Sequence, residues 1–281
     1  MKKTVWIMVI ALAVAFFACD NGSGGTGGKD GDNTGGISDG DGGGGGDNDS
    51  WTVRNTTEWK NAVTKIMLGG NNKSYTITVE GDVGVDATPL GNTGVSLTLQ
   101  GTGRLYPNSS SSFLNVLTEH TLIIDSENLI IDGVGVITQG GTLELKNGTI
   151  TNGNGVATQN GTFTMTGGTI SGNIRGVSMQ GGTFTMTGGT ISGNRAEHSS
   201  GFGMGGGVNA ARYSSFIKTG GIIYGNDAGD NSNIADINPY NNIGHAVAFI
   251  SQQNNGWTRN ATLGENDNLS SESSAGWSIL N

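Results

Sequence analysis

Apolar and polar residues alternate in short stretches that recur along the chain every 20 to 21 residues. Three clear copies occupy residues 141–160, 161–180 and 182–194, and a more degenerate copy occupies residues 215–226. In the second copy, Phe163 and Met165 alternate with threonines, which is the period expected of a strand with one buried face. A repeat of this length predicts structural units that stack on one another and share one core.

The apolar residues of the copies form columns when the copies are aligned. The columns are Leu143, Phe163, Phe184 and Phe216; Ile150, Ile170, Ile191 and Ile223; and Val156, Val177 and Val208. Each copy therefore holds three short strands, and glycines permit the sharp bends between them. The pattern predicts an all-β fold, a single right-handed parallel β-helix of about seven coils over residues 75–250. The leucine spacing that defines a leucine-rich repeat is absent.

Two sets of polar residues recur together with the apolar columns. The first set, which we expect to stack at one turn, is Asn152, Asn173, Asn194 and Asn226. The second set is the outward-facing threonines of two coils, Thr162, Thr164, Thr166, Thr183, Thr185 and Thr187. Threonine suits exposed strand positions without any ligand, although regular threonine arrays on flat β-helices can also bind ice.

The segments on either side of the repeats have a different pattern. In residues 51–74, apolar residues from Trp59 to Met67 recur at spacings of three and four, which predicts a short capping helix over the first coil. Thr56 or Thr57 is the expected N-cap. Lys218 replaces an inward-facing methionine, so the last copy is expected to end the stack. Residues 251–281 are expected to form an irregular C-terminal cap.

The first fifty residues are predicted to contain a secretion signal followed by a flexible linker. Residues 1–18 combine two lysines with an apolar stretch too short to span a membrane, and Cys19 follows directly. This arrangement resembles a bacterial lipoprotein signal of the looser spirochaete type, in which Cys19 is lipidated. Residues 19–50 are rich in Gly and Asp and cannot bury enough apolar surface to fold, so they read as a disordered linker.

The repeats themselves also carry a resemblance. The sequence GGTFTMTGGTISGN and the GGGV at 205–208 resemble the Gly-rich repeats of bacterial surface lipoproteins with pectate-lyase-like β-helices. More loosely, they are similar to the repeats of polymorphic outer-membrane adhesins. The resemblance implies a parallel β-helix at the cell envelope, on the outer membrane or cell surface rather than the inner membrane. Fold alone does not fix an activity.

The sequence offers no convincing catalytic residues, no metal-ligating set and no requirement for a cofactor. Parallel β-helices often host polysaccharide lyases and hydrolases, which need carboxylates arranged with a base or with each other. Asp125 and Asp132 are interpreted as turn residues before Gly133. The three histidines lack metal-ligand spacing. A carbohydrate-active enzyme therefore stands as the alternative to a non-catalytic protein, together with a purely structural envelope spacer.

Binding is the function that the sequence favours. About ten extra residues interrupt the repeat at 195–207, and such insertions in solenoids often form the binding side. The candidate contact residues are Arg195 and His198 in this loop, together with Tyr213 and Tyr224. A glycan or a host or envelope protein is the expected partner, and the lipid on Cys19 attaches the chain to a membrane. The formal net charge of −9 excludes nucleic acid.

Overall fold

The computed structural model describes residues 49–86, 90–109, 113–196, 205–210, 213–225, 229–235 and 246–249, and the segments 251–253, 256–258 and 277–279. The chain divides into two units, residues 1–46 and residues 47–281. Every described residue belongs to the second unit. The predicted signal, Cys19 and most of the linker lie outside the described residues, and so does His198.

Three sheets run side by side along the second unit, and their strands are numbered in chain order. Sheet A contains β1 (Ser50–Val53), β2 (Ser74–Val79), β4 (Ser96–Gly101), β7 (Thr121–Ile124), β10 (Thr142–Leu145), β13 (Thr162–Met165), β16 (Gly182–Met186), β20 (Ser214–Lys218) and β26 (Trp277–Ile279). Sheet B contains β3 (Asp82–Val85), β5 (Arg104–Pro107), β8 (Ile130–Asp132), β11 (Thr149–Thr151), β14 (Thr169–Ser171), β17 (Thr190–Ser192) and β21 (Ile222–Ile223). Sheet C contains β6 (Phe113–Leu117), β9 (Gly135–Gln139), β12 (Val156–Gln159), β15 (Val177–Met179), β19 (Val208–Ala210) and β23 (Val247–Phe249).

The chain passes through sheets A, B and C in order, so the molecule is a parallel β-solenoid, which confirms the predicted fold class. Six passes, from β4 to β23, place a strand in all three sheets. The prediction of about seven coils was one too many, because the residues described between β3 and β4 include no strand of sheet C. The stack therefore has six complete turns and an incomplete first one.

The predicted apolar columns are confirmed by the strand register. Phe163 pairs with Phe184 and Phe184 with Phe216, and the ring centroids are 4.5 and 4.7 Å apart in a stacked arrangement. The isoleucine column lies in sheet B and the valine column in sheet C. The residues of all three columns are fully buried. Burial of these side chains is the main favourable contribution to the fold.

The corners between the sheets are closed by residues with positive φ. Before each strand of sheet A from β4 to β20, one aligned position is left-handed in every turn: Gly94, Glu119, Gly140, Asn160, Gly181 and Tyr213. Their φ values lie between 59° and 97°. For Glu119 and Tyr213 this conformation carries a steric cost, which the hydrogen bonds of the stacked turns must offset. The same backbone path is therefore imposed on every turn at this corner.

A helix covers the start of the stack, as predicted. Helix α1 (Thr56–Leu68) buries Trp59, Ala62, Val63 and Ile66, but Met67 is 44% exposed and does not belong to the buried stripe. The N-cap is Asn55, whose side chain accepts a hydrogen bond from the Glu58 backbone N–H, and not Thr56 or Thr57. Thr56 Oγ1 instead accepts from the Gly84 N–H at 3.1 Å, which ties the helix to β3.

The remaining strands are short and lie outside the three-sheet path. Strands β18 (Arg195–Ala196) and β22 (Ile234–Ala235) pair in parallel, and β24 (Ser251–Gln253) and β25 (Gly256–Thr258) form an antiparallel hairpin. A single-turn 3-10 helix covers Gly229–Asn231. Strand β26 pairs antiparallel with β20 and so covers the last edge of sheet A. Within the described ranges, no helix has the length and apolar character needed to cross a membrane.

Candidate interaction surfaces

The candidate binding residues that the structure describes do not form one site. Tyr213 is 75% exposed and lies at the corner from sheet C to sheet A. Arg195 is exposed in β18, and Tyr224 follows β21, so both belong to the corner from sheet B to sheet C. Strand β19 separates Tyr213 from Arg195 along the chain. The tyrosines are thus at opposite ends of sheet C, and only Arg195 and Tyr224 share a corner.

Tyr224 occupies the outward position that Ser171 and Ser192 hold in the turns below, as the sequence predicted. Its ring is half-buried rather than freely exposed. The backbone of Tyr224 is fixed on both sides, since its N–H donates to the Ile191 carbonyl at 3.0 Å and its carbonyl accepts from Asn233 Nδ2 at 2.7 Å. Tyr224 is therefore part of the framework of the corner more than a free contact residue.

A buried asparagine ladder holds the corner from sheet B to sheet C in the last turns. Asn173 Nδ2 donates to Asn194 Oδ1 at 3.1 Å, and Asn194 Nδ2 donates to Asn233 Oδ1 at 2.9 Å. The same Oδ1 atoms accept from the backbone N–H groups of the turn below. Each amide thus meets the backbone of the adjacent turn, which is how buried polar groups are satisfied.

The prediction was wrong for Asn152, which does not belong to this ladder. Asn152 aligns with Gly172 and Gly193, is exposed, and has a φ of 54°. The residue of its turn that meets the ladder is Gly153, whose N–H donates to Asn173 Oδ1. At the other end the ladder continues to Asn233, and Asn226 lies outside the described residues. For Asn152 the prediction was off by one residue, since Gly153 holds the ladder position in that turn.

The outward face of sheet A carries a longer hydroxyl array than the two coils expected. One file, meaning a row of outward-facing residues in register across the strands, contains only serine and threonine over seven strands. Its members are Ser74, Ser96, Thr121, Thr142, Thr162, Thr183 and Ser215. The neighbouring files are less regular, because Ile123, Glu144 and Lys146 interrupt them. The face is polar and uncharged for most of its length.

The outward face of sheet B carries a charged network that was not predicted from the sequence. Arg104 Nε donates to Asp132 Oδ2 at 2.5 Å, and Asn152 Nδ2 donates to Asp132 Oδ1 at 2.9 Å. Asp82 lies 3.8 Å from Arg104 Nη1, and the guanidinium sits 5.8 Å from the centroid of the Tyr106 ring. Asp132 was interpreted as a turn residue, whereas the structure places it on β8 and pairs it with a residue from β5.

Two cationic side chains lie in the interior or partly within it. Lys218 is fully buried in the last strand of sheet A, and burial lowers the pKa of its amine. It is in register with Met186 below and Trp277 of β26 above, so it ends its column as expected. Burial also lowers the pKa of the Arg175 guanidinium, whose Nε has no hydrogen-bond partner in the described part of the chain.

Among the described residues we find a small cavity but no cluster of metal-ligating side chains. Among them, no group of three or more His, Cys, Asp or Glu side chains could hold a metal ion. A small apolar cavity of about 10 Å³ lies next to Trp59 of α1, Leu114 and Leu122. This volume is at the lower limit for a single water molecule. Searches of known protein families, curated proteins and solved structures find no match to this chain.

Proposed function

We propose that the chain is a non-catalytic protein of the cell envelope, attached to a membrane through lipid on Cys19, which uses its solenoid for surface interaction or adhesion. The lipoprotein-like signal at residues 1–18 and the Gly/Asp-rich linker support the anchor. The anchor also accounts for the position of the single cysteine of the chain. The resemblance of the repeats to surface lipoproteins and their pectate-lyase-like β-helices belongs to this proposal.

The observation that carries the proposal is the position of the corner insertions. The corner from sheet B to sheet C spans residues 133–134, 152–155 and 172–176 in successive middle turns. In the last two turns it lengthens to residues 193–207 and 224–246. Strand β1, where the linker enters, lies at the other end of sheet A, seven strand spacings from β20. At about 4.8 Å each, this is about 34 Å. The two long corners therefore begin and end on strands at the opposite end of the stack from β1.

Metabolic labelling with a radioactive fatty acid tests the anchor. We expect label on the wild-type chain and none on Cys19→Ala, and we expect only the wild type in the membrane fraction. Unlabelled mature wild-type protein would contradict a lipoprotein. A protease applied to intact cells then reports whether the solenoid faces outward.

Binding of the full chain to immobilised glycans and matrix proteins tests the interaction. The test variants are a deletion of residues 197–204 and the substitutions Arg195→Gln and Tyr213→Ser. A matched control is Thr166→Ser, on the exposed face of sheet A. Loss of binding in the test variants alone supports the role of the corner loops. If no ligand binds the wild type, the chain is better explained as a structural spacer.

A carbohydrate-active enzyme remains the second candidate, and one observation favours it. Asp82 and Asp132 lie on either side of Arg104 on one open face, which provides two carboxylates and a base. Their strands are two spacings apart in sheet B, or about 9.6 Å. Against it, Arg104 is engaged by Asp132 in an ion pair. Release of reducing or unsaturated ends from polysaccharides, abolished in Asp132→Ser, would establish the enzyme.

A further inference from the structure

The sheet B network forms a continuous diagonal of planar side chains across neighbouring turns. Asp82 on β3 is followed by Arg104 on β5, Asp132 on β8 and Asn152 after β11. These residues cover three strand spacings, or about 14 Å along the stack. Because each side chain is held by its neighbour, the network is ordered before any ligand arrives, and a ligand would not have to immobilise it.

The network retains hydrogen-bonding capacity on its exposed side. A guanidinium has five N–H donors, and Arg104 uses Nε for Asp132 while its Nη1 is 3.8 Å from Asp82, beyond a hydrogen bond. The Asp132 carboxylate can accept about four hydrogen bonds and accepts two. The side chain of Arg104 is 44% exposed and that of Asp132 is 16% exposed, whereas Asn152 is exposed. Donors of Arg104 and Asn152 therefore face solvent on either side of a mostly covered carboxylate.

Apolar surface flanks this polar line on the same face. Ile130, adjacent to Arg104 in the sheet, is 38% exposed. Tyr106 adjoins Asp132 and is half-buried, with its ring turned towards Gly84. A ligand that fits must combine hydroxyl groups with an apolar face, which is the chemistry of a sugar ring.

The charge balance of the network selects against an anionic ligand. Two carboxylates surround one guanidinium, so the local formal charge is negative, as is that of the whole chain. A uronate or sulfate group would meet net repulsion there. A neutral hydroxylated ligand meets only hydrogen-bonding groups.

We propose that Arg104, Asp132 and Asn152, flanked by Tyr106 and Ile130, form a binding site for a neutral oligosaccharide. The site deepens the proposed interaction function and depends on neither the lipid anchor nor the corner loops. It gives the molecule a second contact surface, on the face of sheet B in the early turns.

The repeated turns supply the substitutions that test this site. At the positions of Arg104, Asp132 and Asn152, the later turns carry Thr169, Ser171 and Gly172. The variants Arg104→Thr, Asp132→Ser and Asn152→Gly therefore introduce residues that the fold already accepts, and glycine suits the φ of 54° at position 152. The control variants are Glu144→Thr and Lys146→Thr, which remove an ion pair on sheet A in the same way.

Isothermal titration calorimetry of the full chain is the measurement, with neutral hexasaccharides of glucose, galactose, mannose and N-acetylglucosamine and an acidic oligogalacturonate as probes. We expect a neutral hexasaccharide to bind the wild type and the controls. Each network variant should raise the Kd about tenfold or more, since a hydrogen bond to a charged group is lost. Thermal unfolding verifies that every variant is folded.

Three outcomes would overturn the site: no neutral probe binds, only the acidic probe binds, or the network variants bind as the controls do. These failures are distinguishable from failure of the corner-loop function. The network variants leave residues 193–207 unchanged, and the loop variants leave the network unchanged. Loss in one series alone therefore identifies which surface binds.

Discussion

The early turns of the solenoid, residues 74–139, and the repeated turns, residues 141–194, share one backbone and differ in what they present to solvent. Both bury columns of apolar residues in every sheet, including two columns in sheet A. The early turns place Arg104 and Asp132 on sheet B, whereas the repeated turns place only threonine and serine at the same positions. The interior is therefore fixed by stacking, and the exterior is where the turns become different from one another.

The interiors also differ in a way that follows from the repeats. The column that holds stacked phenylalanines at positions 163, 184 and 216 continues downward as Leu143, Leu122 and Leu97. Aromatic stacking between turns adds to area burial, while leucines pack without a preferred ring geometry. At the corner from sheet B to sheet C, the asparagine ladder likewise starts at Asn173 and has no member in the early turns that the structure describes.

The largest expected effect is from Phe184→Ala. Its ring contacts rings on both sides, so removal leaves a cavity in the middle of a stack and should lower the free energy of unfolding by about 3–5 kcal/mol. Urea unfolding followed by circular dichroism measures it. Thr185→Ala, on the outward side of the same strand, should cost less than about 1 kcal/mol. Equal losses in the two variants would refute the inward column.

Asn194→Ala should have the next largest effect. The substitution leaves the Asn173 N–H and the Ile170 carbonyl without their side-chain partner in a buried corner. The expected loss is on the order of 2–3 kcal/mol. Its control is Asn154→Ala at the same corner, where the side chain is exposed. If both variants unfold at the same urea concentration, the ladder contributes nothing to stability.

Thr138→Val should raise the free energy of unfolding by about 1 kcal/mol. The Oγ1 of Thr138 is fully buried and has no hydrogen-bond partner in the described structure, so replacement by a methyl group removes an unsatisfied polar atom. The matched variant Thr158→Val should destabilise, because Thr158 Oγ1 donates to the Gly181 carbonyl at 3.0 Å. Opposite signs in the two variants would confirm the difference, and a loss in both would argue against it.

The smallest effect concerns acid. A hydrogen bond from Lys60 lowers the pKa of the Asp86 carboxyl below 3.8, and the two groups are 3.0 Å apart near the first turn. As the pH falls below 3.8, the unfolded chain takes up the proton first, so this contribution to stability is present above pH 3.8 and lost below it. Asp86→Asn should flatten the acid side of the stability curve slightly, because the pair is exposed.

Hydrogen exchange at pH 5 and pH 3 localises the acid effect. Residues 161–194 contain no acidic side chain, so their amide protection, corrected for the intrinsic rate, should change less than that of residues 74–86. A uniform loss of protection along the stack would contradict the assignment to the early turns.

The repeated turns could be predicted in detail because each position occurs several times. Phe163, Phe184 and Ile191 were assigned inward by alternation alone, and the register agrees. Stacked parallel strands force equivalent residues into line, so periodicity in the sequence becomes contact in the structure. Tyr224 was placed correctly for the same reason, since it follows Ile223 in the isoleucine column.

The features that the sequence did not predict depend on irregular lengths. Arg104 and Asp132 are 28 residues apart, which is no multiple of the repeat, because the first turns have unequal corners. Asn194 and Asn233 are 39 residues apart because the first insertion and part of the second lie between them. The left-handed conformation of Tyr213 could not be predicted from residue type, since glycine, asparagine and glutamate occupy the aligned position in other turns. The network on sheet B was not predicted because its residues do not recur at the spacing of the repeat.

The left-handed residues from Gly94 to Tyr213 occupy one aligned position in successive turns, so each turn is a modular unit. The repeated turns share this left-handed position and the same strand register, so a unit of 20 or 21 residues can be duplicated or lost while the units that become neighbours still match. The length of the body then changes in increments of about 4.8 Å. A solenoid of this kind can be lengthened by duplication of an existing turn, because the added turn extends the same hydrophobic core.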